Sequence, residues 1–140
     1  DRARVHFLGR IDEAAKVDLL GASDLFAQPC RTRWHGLEQE GFGIVFLEAA
    51  ACAIPQIAGR SGGSFEAVDD ATTGLVVDRP GDARAVAGAI TALLGDDERR
   101  LAMGAAARRR AVERFDYDQL AARLTDGLAA AMGDRPSATS

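Results

Sequence analysis

The chain has 140 residues, 47% of them hydrophobic and 27% charged, and carries a net charge of −4. That length allows one domain with a sizeable core, and the balance of apolar and charged residues excludes a largely disordered chain. The acidic excess excludes a general nucleic-acid partner, whose binding is driven by neutralising phosphates, and no apolar stretch of about 20 residues offers a membrane span.

Val5–Leu8 is a short apolar run closed by Gly9 and predicts a buried strand, within which His6 reads as structural. Asp12 stands where a helix needs its N-cap, and Ala15, Leu19 and Leu20 give that helix an apolar face ending before Ser23 and Asp24. Leu25–Cys30 predicts the second strand, closed by Pro29. The loop 31–41, rich in Arg, Gly and acidic residues, leads into a helix expected from Gly43 to about Ala53, and Pro55 opens a third strand through Ala58. Strands alternating with helices build a parallel sheet, whose ligands lie beyond the carboxyl ends of the strands. Gly9-Arg10, the 31–40 loop and Gly59–Gly63 occupy those ends and are expected to converge on one edge.

Farther along, Leu75–Val77 predicts a fourth strand, broken by Pro80. Asp82 can cap a helix with Val86, Ile90, Leu93 and Leu94 on one face, and a second helix is expected from Asp97 to Arg114. The last starts at Asp116, which with Gln119 reads as a capping box rather than a metal-binding Asp-x-Asp, and repeats apolar residues at Leu120, Leu124, Leu128 and Met132. Residues 1–132 thus read as one domain, and 133–140 as a disordered polar tail. The run Arg108-Arg109-Arg110 reads as a solvated helix face, with contact to anionic lipid as the competing reading. Cys30 and Cys52 are too few for a disulfide framework or a metal site, which implies a reducing, cytoplasmic compartment. Without a signal peptide or spanning helix, any membrane association is expected to be peripheral.

The segment Glu40-Gly41-Phe42-Gly43-Ile44-Val45-Phe46-Leu47-Glu48 carries the chemistry. If its helix begins near Gly43, the two carboxylates lie roughly 12 Å apart along the axis, a span that suits the two ends of a sugar nucleotide. Between them come the unpaired N–H groups and positive dipole end of the helix, where a diphosphate binds without a metal. Glu40 is then placed for sugar hydroxyls and Glu48 for a ribose diol. The bland alternative is that Glu simply favours a first helical turn. Glu48, however, is surrounded in sequence by Val45, Phe46, Leu47, Ala49 and Ala50, and a charge in so apolar a helix requires a partner, read here as a ligand or a hydroxyl network. Ser61-Gly62-Gly63-Ser64 permits close backbone approach to a ligand, although tight turns share its composition. His35, beside Trp34, lies near enough in sequence for ligand contact.

These residues resemble the E-x7-E signature of glycosyltransferase family 4, retaining, metal-independent transferases of GT-B fold. Val5-His6-Phe7-Leu8-Gly9, Asp24–Pro29, Ile54–Ala58, Ser61–Gly63, Glu66–Val68, Thr73–Val77 and Arg114–Tyr117 follow in family order, so the resemblance covers nearly the whole chain. Pro29–Arg33 followed by Glu40 and Gly43–Ala49 is most similar to the GDP-mannose-dependent phosphatidylinositol mannosyltransferases of actinobacteria. The resemblance implies the later part of the C-terminal domain of a GT-B enzyme: α/β, a partial Rossmann-like, doubly wound parallel sheet whose N-terminal portion is missing. It implies mannosyl transfer from GDP-mannose to a lipid-linked acceptor such as a phosphatidylinositol mannoside, hence a role in phospholipid metabolism at the inner face of the plasma membrane. No cofactor is expected. Glu40 is assigned as the catalytic residue and, with Gly41, Phe42 and Gly43, holds the sugar. Gly43, Ile44 and Val45 meet the diphosphate, Glu48 the ribose, and Gly9, Arg10 and Ile11 border the base. The alternatives are a UDP-sugar donor, a non-catalytic nucleotide-sugar-binding fragment and, lower, an epimerase or phosphorylase of the same fold.

Two substitutions depart from the family pattern, Ala53 where Gly is usual and Gln56 where a small aliphatic residue is common. A larger departure is that the Arg and Lys that clamp the diphosphate in the family have no counterpart, Lys16 being the chain's single lysine and differently placed. Partners are therefore expected to be the nucleotide sugar, the lipid acceptor and the missing remainder of the enzyme, without which the chain is expected to be inactive.

Overall fold

The computed structural model describes residues 4–32, 34, 37 and 41–133. Asp12 accepts a hydrogen bond from the Ala15 amide and starts α1 (Glu13–Gly21), as its position predicts. Three short strands follow at intervals, β1 (Phe26–Gln28), β2 (Gln56–Gly59) and β3 (Gly74–Val77), paired in parallel in the order β1-β2-β3. Between them run α2 (Ile44–Ala51) and the single turn α3 (Ser64–Ala67). Beyond β3 come α4 (Ala83–Leu94), α5 (Asp97–Phe115) and α6 (Tyr117–Gly133).

Alternation along β2 distributes its side chains to two cores. Ala58 faces Phe46, Ala67 and Val68 under α2 and α3, whereas Ile57 faces Val77, Leu93 and Met103 under α4 and α5. Both faces of the sheet are thus covered, as a parallel sheet requires, and the doubly wound arrangement is as expected. Fully burying a side chain such as Phe46, Ile57 or Leu93 contributes about 1.5–3 kcal/mol, against about 0–1 kcal/mol for an exposed pair such as Arg60–Asp78. Packing therefore positions α2, not surface charge. Its neighbour α5 approaches closely through Ala50, Ala107, Ala111 and Gly104, a Cβ at Gly104 falling 2.1 Å from the Ala53 carbonyl oxygen.

Four expectations are corrected. Val5–Leu8 is not a strand: it pairs with nothing among the described residues, and Phe7 is 96% exposed. A strand needs a ladder partner, and apolar content alone does not supply one. His6 is accordingly exposed rather than structural. Leu94 points outward while Leu93 takes the core position, because successive helical residues are about 100° apart. Gly133 is the last residue of α6 rather than the first of a tail, and residues 134–140 lie outside those described.

Both departures acquire a structural meaning. Ala53 is left-handed, φ 59°, directly after the C-cap of α2. Its amide donates to the Ala50 carbonyl and that of Ile54 to Ala49, the paired bonds of a Schellman ending for which glycine is the usual residue. Gln56 is fully buried in the central strand; its amide donates to the Ile54 carbonyl while Oε1 has no partner among the described residues.

Candidate functional site

Gly43 caps α2 in a left-handed conformation, φ 76° and ψ 59°, and no side chain among the described residues caps the helix. The Phe46 amide turns back to the Gly43 carbonyl at 2.9 Å, leaving the amides of Ile44 and Val45 without a partner among the described residues. Such amides, with the positive end of the helix dipole, form an anion site.

The turn ahead of α2 is held from two directions. The Gly63 amide donates to the Gly41 carbonyl at 3.0 Å, and a Cβ on Gly63 would lie 2.1 Å from that oxygen, so only glycine permits the approach. From the other side the Phe42 ring packs on Phe115 at 5.6 Å, and the Arg110 guanidinium covers Phe115 at 5.0 Å. The Ser61–Gly63 turn is itself fixed by Ser64, whose buried hydroxyl lies 2.5 Å from the Gly59 carbonyl and 2.7 Å from that of Ser61. Ser61 Oγ in turn lies 3.0 Å from Thr32 Oγ1, joining the loop after β1 to the loop after β2.

Glu48, one turn into α2, is half-buried and lies on the rim between two grooves. One, of 530 Å³, is lined by Phe42, Ile44, Leu47, Phe115 and Tyr117; the other, of 810 Å³, by Glu13, Lys16, Cys52 and Arg108. Among the described residues its partner is Lys16, whose Nζ lies 2.8 Å from Glu48 Oε1 and 2.7 Å from Glu13 Oε2. These bonds, Glu13 first and Glu48 second, raise the Lys16 pKa above the ordinary lysine value. Sequence reading missed this pair. The available signal was helical spacing, since Lys16 lies four residues before Leu20, the buried residue that packs α1 on Ala49 and Ile54.

The structure therefore brings Gly41, Phe42, Gly43, Ile44, Val45 and Glu48 together with the Gly59–Gly63 loop and Thr32. Gly9, Arg10 and Ile11 are exposed ahead of α1 and make no hydrogen bond to this cluster among the described residues. Glu40 and His35 lie outside the described residues, as does most of the 31–40 loop.

The Arg108–Arg110 run is not simply a solvated face. Arg108 donates to the Ala51 carbonyl, and Arg110 to the carbonyls of Ala67 at 2.7 Å and Glu66 at 2.6 Å, so two of the three cations close the C-terminal ends of α2 and α3. Burial lowers the Arg110 pKa, with nearby Asp69 opposing the effect. Asp116 caps α6 through the amides of Asp118 and Gln119, but Gln119 reaches back to the Val112 carbonyl, so only half of the expected capping box is made. No cluster of three potential metal ligands occurs among the described residues, and no helix there is long and apolar enough to cross a membrane.

A family profile described as "Glycosyl transferases group 1" matches residues 2–110. The chain is 46% identical over 124 residues to a GDP-mannose-dependent monoacylated alpha-(1-6)-phosphatidylinositol monomannoside mannosyltransferase of Corynebacterium glutamicum, covering 89% of this chain and 32% of that protein. It is 52% identical over 106 residues to the GDP-mannose-dependent alpha-(1-6)-phosphatidylinositol monomannoside mannosyltransferase of Mycobacterium tuberculosis, covering 76% and 27%. The chain thus spans about a third or less of the length of these curated relatives. The crystal structure of Anabaena HepE in complex with UDP superposes with a TM-score of 0.78 at 29% identity, covering 92% of this chain and 33% of that one.

Proposed function

Because the chain belongs to the glycosyl transferases group 1 family, we propose that it is the sugar-nucleotide-binding portion of a mannosyltransferase that moves mannose from GDP-mannose to a phosphatidylinositol mannoside. The observation that carries this reading is the uncapped start of α2, with the Ile44 and Val45 amides open to a diphosphate and Glu48 one turn farther on. The names of the two actinobacterial relatives support the donor and the acceptor.

On this reading the diphosphate rests on the Gly43–Val45 backbone, Glu48 accepts from the ribose diol, and Gly9, Arg10 and Ile11 border the base. Glu40 with Gly41 and Phe42 holds the mannose. The departing diphosphate is stabilised by preorganised backbone dipoles, the transfer retains the anomeric configuration, and no metal or other cofactor takes part. The rest of the cleft, including the cations that clamp the diphosphate in the family, comes from the portion of the relatives that this chain does not span. The lipid acceptor places the reaction at the cytoplasmic face of the plasma membrane, with peripheral contact.

Calorimetric titration of the complete enzyme with GDP, UDP and ADP tests the donor. Preference for GDP, and mannosyl transfer unaffected by EDTA, supports the reading. Preference for UDP supports the alternative of a UDP-sugar donor, which the likeness to the UDP-bound HepE structure favours. Binding without turnover supports a non-catalytic module.

A further inference from the structure

The ion pair between Lys16 and Glu48 joins elements that are 32 residues apart in sequence. It occupies only Oε1 of Glu48; among the described residues nothing bonds to the other carboxylate oxygen. The pair is also supported from behind. Leu20 is buried against Ala49 and Ile54 one turn along α1 from Lys16, so packing fixes the helix that carries the ammonium beside the helix that carries the carboxylate. Glu13 holds the same ammonium from the first turn of α1. Lys16 is thus held by carboxylates from both helices at once.

We propose that Lys16 is a positioning residue for the donor nucleotide: by gripping one oxygen of Glu48 it orients the other toward the ribose diol. The inference rests on the reading of Glu48 as the ribose acceptor. It gives the chain's single lysine a task distinct from the diphosphate clamp of the family. It also makes ribose recognition depend on the placement of α1, which directly follows the 9–11 segment assigned to the base.

The test is calorimetric titration of GDP and of 2′,3′-dideoxy-GDP onto the complete enzyme and its Lys16→Met, Lys16→Arg, Glu13→Gln and Glu48→Gln variants, each checked for a single cooperative melting transition above the titration temperature. Wild type is expected to prefer GDP. Lys16→Met is expected to weaken GDP roughly threefold to tenfold while leaving the dideoxy compound unchanged, so that the preference collapses as it does in Glu48→Gln. Lys16→Arg is expected to retain part of the preference, and Glu13→Gln, which leaves the Lys16–Glu48 bond in place, to retain most of it. Equal weakening of both nucleotides in Lys16→Met would overturn the inference, because it would mean direct contact with base or phosphate or a purely structural role. An undiminished preference in Lys16→Met would overturn it as well. If wild type itself bound both nucleotides equally, the ribose role of Glu48 would fall first and the inference with it, a result distinct from the other two.

Discussion

The Gly63 amide lies 3.0 Å from the Gly41 carbonyl, and that single bond ties the loop after β2 to the turn that opens α2. The contact has no room for a side chain, since a Cβ at Gly63 would stand 2.1 Å from the Gly41 oxygen. Gly63→Ala is therefore expected to force the two loops apart. Overpacking of this kind costs about 1–3 kcal/mol, and the displaced Gly41–Gly43 turn should also bind nucleotide less well. Urea denaturation and GDP titration of the same variant check both, and full retention of GDP affinity would separate this contact from the site.

Ala53 bears a left-handed backbone with its methyl group exposed, so the residue carries strain without compensating packing. Ala53→Gly is expected to raise stability by about 0.5–1 kcal/mol, the relief of a left-handed alanine exceeding the added chain entropy of glycine. A higher urea midpoint at unchanged slope is the expected observation; a lower one would mean that the Schellman turn tolerates alanine freely.

Gln56 leaves its side-chain carbonyl oxygen buried in the middle of the sheet without a partner among the described residues. Gln56→Leu is expected to stabilise the domain by about 1 kcal/mol, because the orphaned acceptor is removed along with a single hydrogen bond to the Ile54 carbonyl. Chemical denaturation checks this, and a loss of stability would assign the amide a structural partner.

What was legible in the sequence was mostly local. Asp12, Asp82 and Asp116 each marked a helix start because a capping side chain acts within three residues, and Gly43 marked the start of α2 because only glycine takes its left-handed conformation easily. The strands around Ala27, Ile57 and Val76 were legible because a parallel sheet covered on both faces leaves apolar runs. Non-local facts were not. Val5–Leu8 has the composition of a strand, but strand formation depends on a partner elsewhere in the chain. The partner of Glu48 was foreseen as a necessity yet not identified, because Lys16 reaches it only once Leu20 has packed α1 against α2. Arg108 and Arg110 read as a surface run because the carbonyls they close belong to helices more than 40 residues away.

The Lys16–Glu48 pair also carries a pH dependence. A lysine whose folded pKa lies above its unfolded value contributes stability that is fully present at neutral pH and is lost as pH rises beyond the ordinary lysine pKa of about 10.4. Denaturation of wild type and Lys16→Met between neutral and strongly alkaline pH should show a gap that is constant at first and closes above that value. A gap that persists unchanged into strongly alkaline pH would mean that the charge on Lys16 does not stabilise the fold.

The most direct measurement is a crystal structure of the complete enzyme with GDP. The diphosphate is expected within hydrogen-bonding distance of the Ile44 and Val45 amides, with the ribose hydroxyls on the Glu48 carboxylate. A nucleotide bound away from the start of α2, or a ribose turned away from Glu48, would contradict the assignment of the site.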